Sequence, residues 1–194
     1  MSQIKLLDTL FPNYKILPEP VDQITILQDH YKTGKYAFHL QLEFFLARAR
    51  IWENLRSDTT YFTERTPASE KVFSDTYNEM GMMNDWERNY LFNLDEYIYD
   101  WKRSKADIIF YLCTPIDICI ENIKKRNREG EKDSFFTDKE FMNQLEDNYS
   151  DFLRYNYSGS HVYQIESTSP EERIKSIMTI LEQHYLDGIS KGEK

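Results

Sequence analysis

The sequence predicts an α/β fold built on a mostly parallel sheet flanked by helices, and three observations carry that reading. Short β-rich runs alternate with longer amphipathic helices, which implies βαβ crossovers. The run 106–112 is continuously apolar, the pattern of a strand covered on both faces. No internal repeat or low-complexity linker interrupts the alternation.

Taken in order, residues 4–10 form a short amphipathic piece that Phe11-Pro12-Asn13 closes before a strand at 14–17. Pro18 and Pro20 stop that strand and leave Glu19 at its C-terminal tip. Residues 21–32 read as a helix ending near Gly34, and 36–56 as a long helix with Leu40, Phe44, Ala47, Ile51 and Leu55 on its apolar face. Gln41 and Arg48 share a neighbouring face. A strand at 61–63 leads into Glu64-Arg65-Thr66-Pro67, and helical patterning resumes over 69–77.

Residues 85–101 are helical, with Trp86, Tyr90, Leu94, Tyr97 and Trp101 on one stripe. After the strand at 106–112, Pro115 opens a helix ending in Lys124-Lys125-Arg126-Asn127-Arg128. A charged, flexible stretch follows, then a helix over 138–155, a strand at 161–165 and a final helix. Ser169 can cap that helix, Pro170 takes its first position and Glu172 completes a capping box. Ile174, Ile177, Met178, Leu181 and Tyr185 form its buried stripe.

Composition narrows the function. With 194 residues, 40% of them hydrophobic, we expect one domain over 1–194 around one core. A net charge of -9 without a Lys/Arg stripe speaks against a nucleic-acid or anionic-membrane partner and for a small ligand. Cys113 and Cys119 share one apolar stretch and have no Cys/His partner at zinc-like spacing, so they read as buried thiols in a reducing compartment. No apolar run is long enough to span a bilayer, and the expected location is cytoplasmic. In parallel sheets ligands bind beyond the carboxyl ends of the strands, which is where Glu19 and Glu64-Arg65 fall.

Four segments in order, Leu17-Pro18-Glu19-Pro20-Val21, the helix bearing Gln41, Glu64-Arg65-Thr66, and Ile123 through Glu131, together resemble the deoxynucleoside kinase family. The likeness covers nearly the whole chain and implies a P-loop kinase-like parallel sheet. It also implies transfer of the ATP γ-phosphate to the 5′-hydroxyl of a deoxynucleoside with Mg²⁺, in a homodimer.

By that resemblance Glu19 is the base that takes the hydroxyl proton. Gln41 meets the base edge with both ends of its amide, and Tyr31 with Glu131 holds the sugar 3′-hydroxyl, with His30 the competitor for the tyrosine's place. Arg65 binds the phosphate or the 5′ region, Glu64 helps position Mg²⁺, and Lys125, Arg126 and Arg128 form the lid that closes on the transferring group. Arg48 and Glu70 fall where deoxycytidine and deoxyguanosine kinases recognise exocyclic groups, which favours cytosine or purine nucleosides.

Each residue also has a plainer reading. Glu19 suits an exposed Pro-rich turn, Gln41 a solvated helix face, Glu64-Arg65 a surface ion pair, and the basic run a helix C-terminus that attracts cations.

Family members begin with a strand and a G-x-x-x-x-G-K-S/T loop that cradles ATP phosphates. Met1-Ser2 stand at the end of that motif, and the six glycines offer no substitute. We therefore expect the first strand and phosphate loop to be missing from this chain, turnover by it to be nearly abolished, and the start to be misplaced or truncated. The alternatives are a catalytically impaired nucleoside-binding or regulatory relative and, third, a nucleoside monophosphate kinase.

Overall fold

A computed structural model describes residues 14–98, 106–156, 161–167 and 169–191. The expected amphipathic piece at 4–10, the Phe11-Pro12-Asn13 closure, Met1-Ser2 and Trp101 lie outside the described residues.

The fold is α/β, with parallel strands flanked by helices. Strand β1 (Lys15–Leu17) pairs in parallel with β2 (Tyr61–Thr63), Ile16 opposite Phe62. Strand β3 (Ile108–Leu112) pairs in parallel with β4 (His161–Ile165), Phe110 opposite Tyr163. The described strands thus form two parallel pairs rather than one ladder. Phe62 of β2 and Phe110 of β3 both pack on Ile174 and Ile177 of the last helix, α7 (Pro170–Lys191), which spans the two pairs.

The expectation that 106–112 is covered on both faces is corrected, since every residue of β3 is half-buried. One edge of β3 also carries no ladder among the described residues. Cys113 and Cys119 are likewise half-buried free thiols, and burial raises both above the usual thiol range.

Helix α1 (Leu27–Thr33) is much shorter than the expected 21–32. Val21–Gln23 is a 3₁₀ turn and Ile24 is extended, because Glu43 reaches across from α2 (Ala37–Trp52). Its carboxylate accepts the Thr25 N–H at 2.7 Å and the Ile26 N–H at 3.4 Å. That carboxylate caps the start of α1 from a distance, meeting donors that the first turn leaves free. Gly34, at φ 66°, ends the helix in the left-handed conformation that glycine adopts without steric cost.

In α2 the expected apolar face holds at Leu40, Phe44 and Ala47, which are buried. Helices α3 (Glu70–Glu79) and α4 (Asp85–Ile98) pack through Phe73, Tyr77 and Leu91. The aromatic stripe of α4 mostly faces outward: Trp86, Tyr90 and Tyr97 are exposed, Leu94 packs beside Phe45, and the buried positions are Leu91 and Asp95.

Helix α5 (Ile116–Arg126) ends with Asn127 in the left-handed region. The following stretch is ordered by two 3₁₀ turns, Glu131–Asp133 and Phe135–Thr137, where a flexible segment was expected. Glu131 and Ser134 are buried there, and Phe135 and Phe136 insert against Phe141 of α6 (Lys139–Asn156). At α7, the Ser169 hydroxyl accepts the Glu172 N–H at 3.4 Å, but the Glu172 carboxylate takes the Ser167 hydroxyl, so the capping box forms only by half. The described side chains of the α7 stripe, Ile174, Ile177, Met178 and Leu181, pack as expected; that of Tyr185 lies outside the described residues.

Candidate functional site

The Pro18-Glu19-Pro20 turn ends β1, and Glu64-Arg65 end the neighbouring parallel strand β2, so the two segments emerge at the same sheet edge. The Arg65 guanidinium donates through Nη2 to Glu19 Oε1. The Arg48 Nη2, from α2, donates to the same oxygen at 3.2 Å, while its Nε donates to Glu70 Oε1 at 2.5 Å. Glu70 opens α3 immediately after the turn that follows β2. Glu19, Arg48, Arg65 and Glu70 therefore form one alternating ionic cluster fed by four chain segments.

Arg48 is 2% exposed, and its buried charge is compensated by this pairing. Aromatic faces complete the enclosure: the Arg65 guanidinium lies 4.6 Å from the Phe73 ring centroid and 6.0 Å from that of Phe44. The half-buried Tyr149 of α6 hydrogen-bonds Arg65, and desolvation pushes its phenol above the usual range. A role for Tyr149 had no local signal in the sequence.

Gln41 lies two turns before Arg48 on α2 and is buried, with its Oε1 unpartnered. Gln41 is buried rather than on a solvated helix face, and Glu19 is half-buried and ion-paired rather than free on an exposed turn.

A second cluster gathers around Glu131. Arg126 donates Nε to Oε2 at 3.0 Å and Nη2 to Oε1 at 2.5 Å, and Arg128 Nη1 lies 3.9 Å from Oε1. Arg128 also hydrogen-bonds the Tyr31 phenol, whose proton is held more firmly by burial and then by the nearby Glu131 charge. Tyr31 and Glu131 are thus brought together as expected.

His30 has a different place. It is fully buried, with Nδ1 2.6 Å from the Lys35 carbonyl oxygen and Nε2 3.1 Å from the Tyr77 hydroxyl. A carbonyl only accepts, so Nδ1 carries the proton and Nε2 accepts from Tyr77. The competitor is a core residue. Burial holds the Tyr77 proton firmly, and the nearby Arg65 and Glu70 charges act on the same phenol.

Two expected residues stand apart. Lys125 pairs with Glu121 at 3.1 Å along the exposed side of α5, and Glu64 is exposed. Among the described residues no trio of His, Cys, Asp or Glu would hold a metal alone. Mg²⁺ commonly takes one or two carboxylates and completes its shell with phosphate oxygens and water. Glu64 fits that use, whereas Glu19 is already engaged by two guanidiniums. Arg65, Arg126 and Arg128 fit a transferring phosphoryl group. Nothing among the described residues forms a glycine-rich cradle for the rest of a triphosphate.

A family model for deoxynucleoside kinases matches residues 3–185. The chain is 30% identical over 142 residues to a deoxyadenosine kinase of Dictyostelium discoideum, covering 70% of this chain and 54% of that protein. It is 25% identical over 150 residues to a probable deoxycytidine kinase of fowlpox virus (strain NVSL), covering 74% and 63% respectively. The chain thus spans about half to three-fifths of the length of these curated relatives. Among solved structures, deoxyadenosine kinase from M. mycoides with bound dATP superposes with a TM-score of 0.78 at 21% identity, covering 92% of this chain and 91% of that one. The same enzyme with bound dCTP gives 0.79 at 20% identity, covering 93% and 92%. At that identity the likeness concerns the fold.

Proposed function

The chain belongs to the deoxynucleoside kinase family, and from that premise we propose that the protein transfers the γ-phosphoryl group of ATP to the 5′-hydroxyl of a deoxynucleoside, with Mg²⁺. The observation that carries the proposal is Glu19, stationed at a strand end between Arg48 and Arg65. Arg65 pairs with it and stands beside it where a phosphoryl group would arrive. Glu19 takes the hydroxyl proton as the oxygen attacks. Gln41, Arg48 and Glu70 form the wall against the base, and Tyr31 with Glu131 holds the sugar. Arg126 and Arg128 close on the phosphoryl group, and Glu64 supports the metal.

A wall of three buried polar side chains suits bases with exocyclic amino groups, so cytosine and purine deoxynucleosides are the proposed substrates. Leu46, Trp86, Tyr90 and Tyr97 expose apolar surface on α2 and α4, which supports a homodimer through this face. The two unpaired cysteines support a cytoplasmic location, and no described helix is long and apolar enough to cross a membrane. We take residues 1–194 as one domain.

The test offers deoxycytidine, deoxyadenosine, thymidine and their monophosphates, with ATP and Mg²⁺, to the protein expressed from its gene. The expected result is 5′-phosphorylation of deoxynucleosides, falling about 10²- to 10⁴-fold in Glu19→Gln while nucleoside affinity is kept. Phosphorylation of monophosphates alone would overturn the proposal. Nucleoside binding without turnover would instead identify a non-catalytic relative.

A further inference from the structure

Between α2, α3 and α4 lies a cavity of about 10 Å³ lined by Gln41, Glu70, Lys71, Ser74, Phe92 and Asp95, among others. Three oxygens of its lining side chains are buried without a partner: Gln41 Oε1, Glu70 Oε2 and Asp95 Oδ1. Their residues are 2%, 5% and 6% exposed, so bulk water does not reach them. The other oxygen of each carboxylate is engaged: Glu70 Oε1 accepts from Arg48, and Asp95 Oδ2 lies 3.0 Å from Lys71 Nζ. Burial raises the Asp95 carboxyl above its usual range, with the Lys71 charge opposing the shift.

A cavity of this size holds about one water, and a buried water is stable where it finds two to four polar partners. Charge selects water over a cation, because the two carboxylates are already balanced by Arg48 and Lys71. We infer that one ordered water occupies this cavity and hydrogen-bonds within the set Gln41 Oε1, Glu70 Oε2 and Asp95 Oδ1. Asp95, anchored by Lys71, is thereby a positioning residue for the side chains that select the base. Water donates only twice at a time, so its orientation ties Glu70 and Gln41 to Asp95 as a set. This inference rests on the proposed base-binding role of Gln41 and Glu70.

The experiment has two arms. Calorimetry measures deoxycytidine, deoxyadenosine and thymidine binding to the wild type, Asp95→Ala, Lys71→Met and Arg88→Gln. Arg88→Gln is the control, since Arg88 pairs with Asp75 between the same two helices but does not line the cavity. Asp95→Ala and Lys71→Met are expected to change the ratio of affinities among the three nucleosides by about tenfold, the weight of one hydrogen bond to a charged group, with Arg88→Gln leaving it unchanged. An equal loss for all three nucleosides in every variant would make Asp95 merely structural and overturn the inference. Asp95→Asn serves the same comparison if Asp95→Ala does not fold.

In the second arm, a high-resolution crystal structure of the wild type is expected to show one water peak within hydrogen-bond distance of at least two of the three oxygens. A metal ion there, or no peak, overturns the inference. If the wild type binds no nucleoside, the proposed function fails, while the crystal arm still decides the water.

Discussion

Arg126 grips Glu131 with two donors, yet the partners differ in exposure: the arginine side chain is half exposed and the glutamate only 7%. The carboxylate is fixed in the protein and the cation can swing. Glu131 therefore both holds a proposed sugar contact and restrains a proposed phosphate contact.

Replacing Glu131 with Gln keeps the shape and removes the charge. Deoxynucleoside affinity is expected to weaken by roughly ten- to a hundredfold, the cost of losing hydrogen bonds to a charged group. Backbone exchange over residues 126–134 is expected to quicken as the Arg126 fork is lost. Calorimetry and hydrogen exchange check the two effects, and unchanged affinity would remove Glu131 from the sugar site.

Gly130 sits at φ 77°, and an added Cβ would stand 3.0 Å from Tyr31 Cβ and 3.2 Å from Gln28 Oε1. Gly130→Ala must move the lid turn away from α1, and the backbone conformation alone costs about 1–2 kcal/mol. The variant is expected to unfold at lower denaturant. It should also lose the preference for a deoxynucleoside over its 3′-deoxy analogue, because Tyr31 and Glu131 no longer converge. Equal preference in variant and wild type would refute that geometry.

His30 gives a pH prediction. Burial lowers its pKa below the ordinary value of 6.5, with the Lys35 hydrogen bond opposing. The folded state therefore holds fewer protons than the unfolded one. This contribution is fully present above the unfolded pKa and is lost as pH falls through the depressed folded value. Melting temperature is expected to decline below about pH 6.5, and His30→Gln to flatten that part of the profile. Identical slopes in the two proteins would assign the decline to other groups.

The exposed stripe of Trp86, Tyr90 and Tyr97 predicts self-association. Wild-type protein is expected to sediment as a dimer, and Trp86→Glu with Tyr97→Lys to shift it to monomer, because large apolar side chains clustered on a surface mark interfaces. A monomeric wild type would count against the proposed face.

The parallel strands were legible because Pro18, Pro20 and Pro67 bound two of them and β3 and β4 are short β-rich runs. The partition into two pairs was not, since pairing is a non-local property. The same reason hid the start of α1, which Glu43 captures from a residue 18 positions away. At the site, Glu19 and Arg65 were legible because both fall at strand ends, whereas Arg48 and Glu70 were picked out only by the resemblance to the deoxynucleoside kinase family. Tyr149 and Lys71 carried no local cue. Nor did Asp95, because the stripe read from the sequence ran through Trp86, Tyr90 and Leu94, and only the structure turns Leu91 and Asp95 inward. Lys125 was included because the basic run reads as a unit, although a helix turns successive residues through about 100° and sends neighbours to different faces.

The Glu19 cluster holds two carboxylates against two guanidiniums, and their charges cancel. An uncharged nucleoside entering beside it leaves that balance untouched, so its affinity should be nearly indifferent to ionic strength. A phosphorylated ligand that takes Arg65 as a partner draws it away from Glu19, which makes its affinity sensitive to salt. The way affinity changes with added salt would thus tell substrate from product.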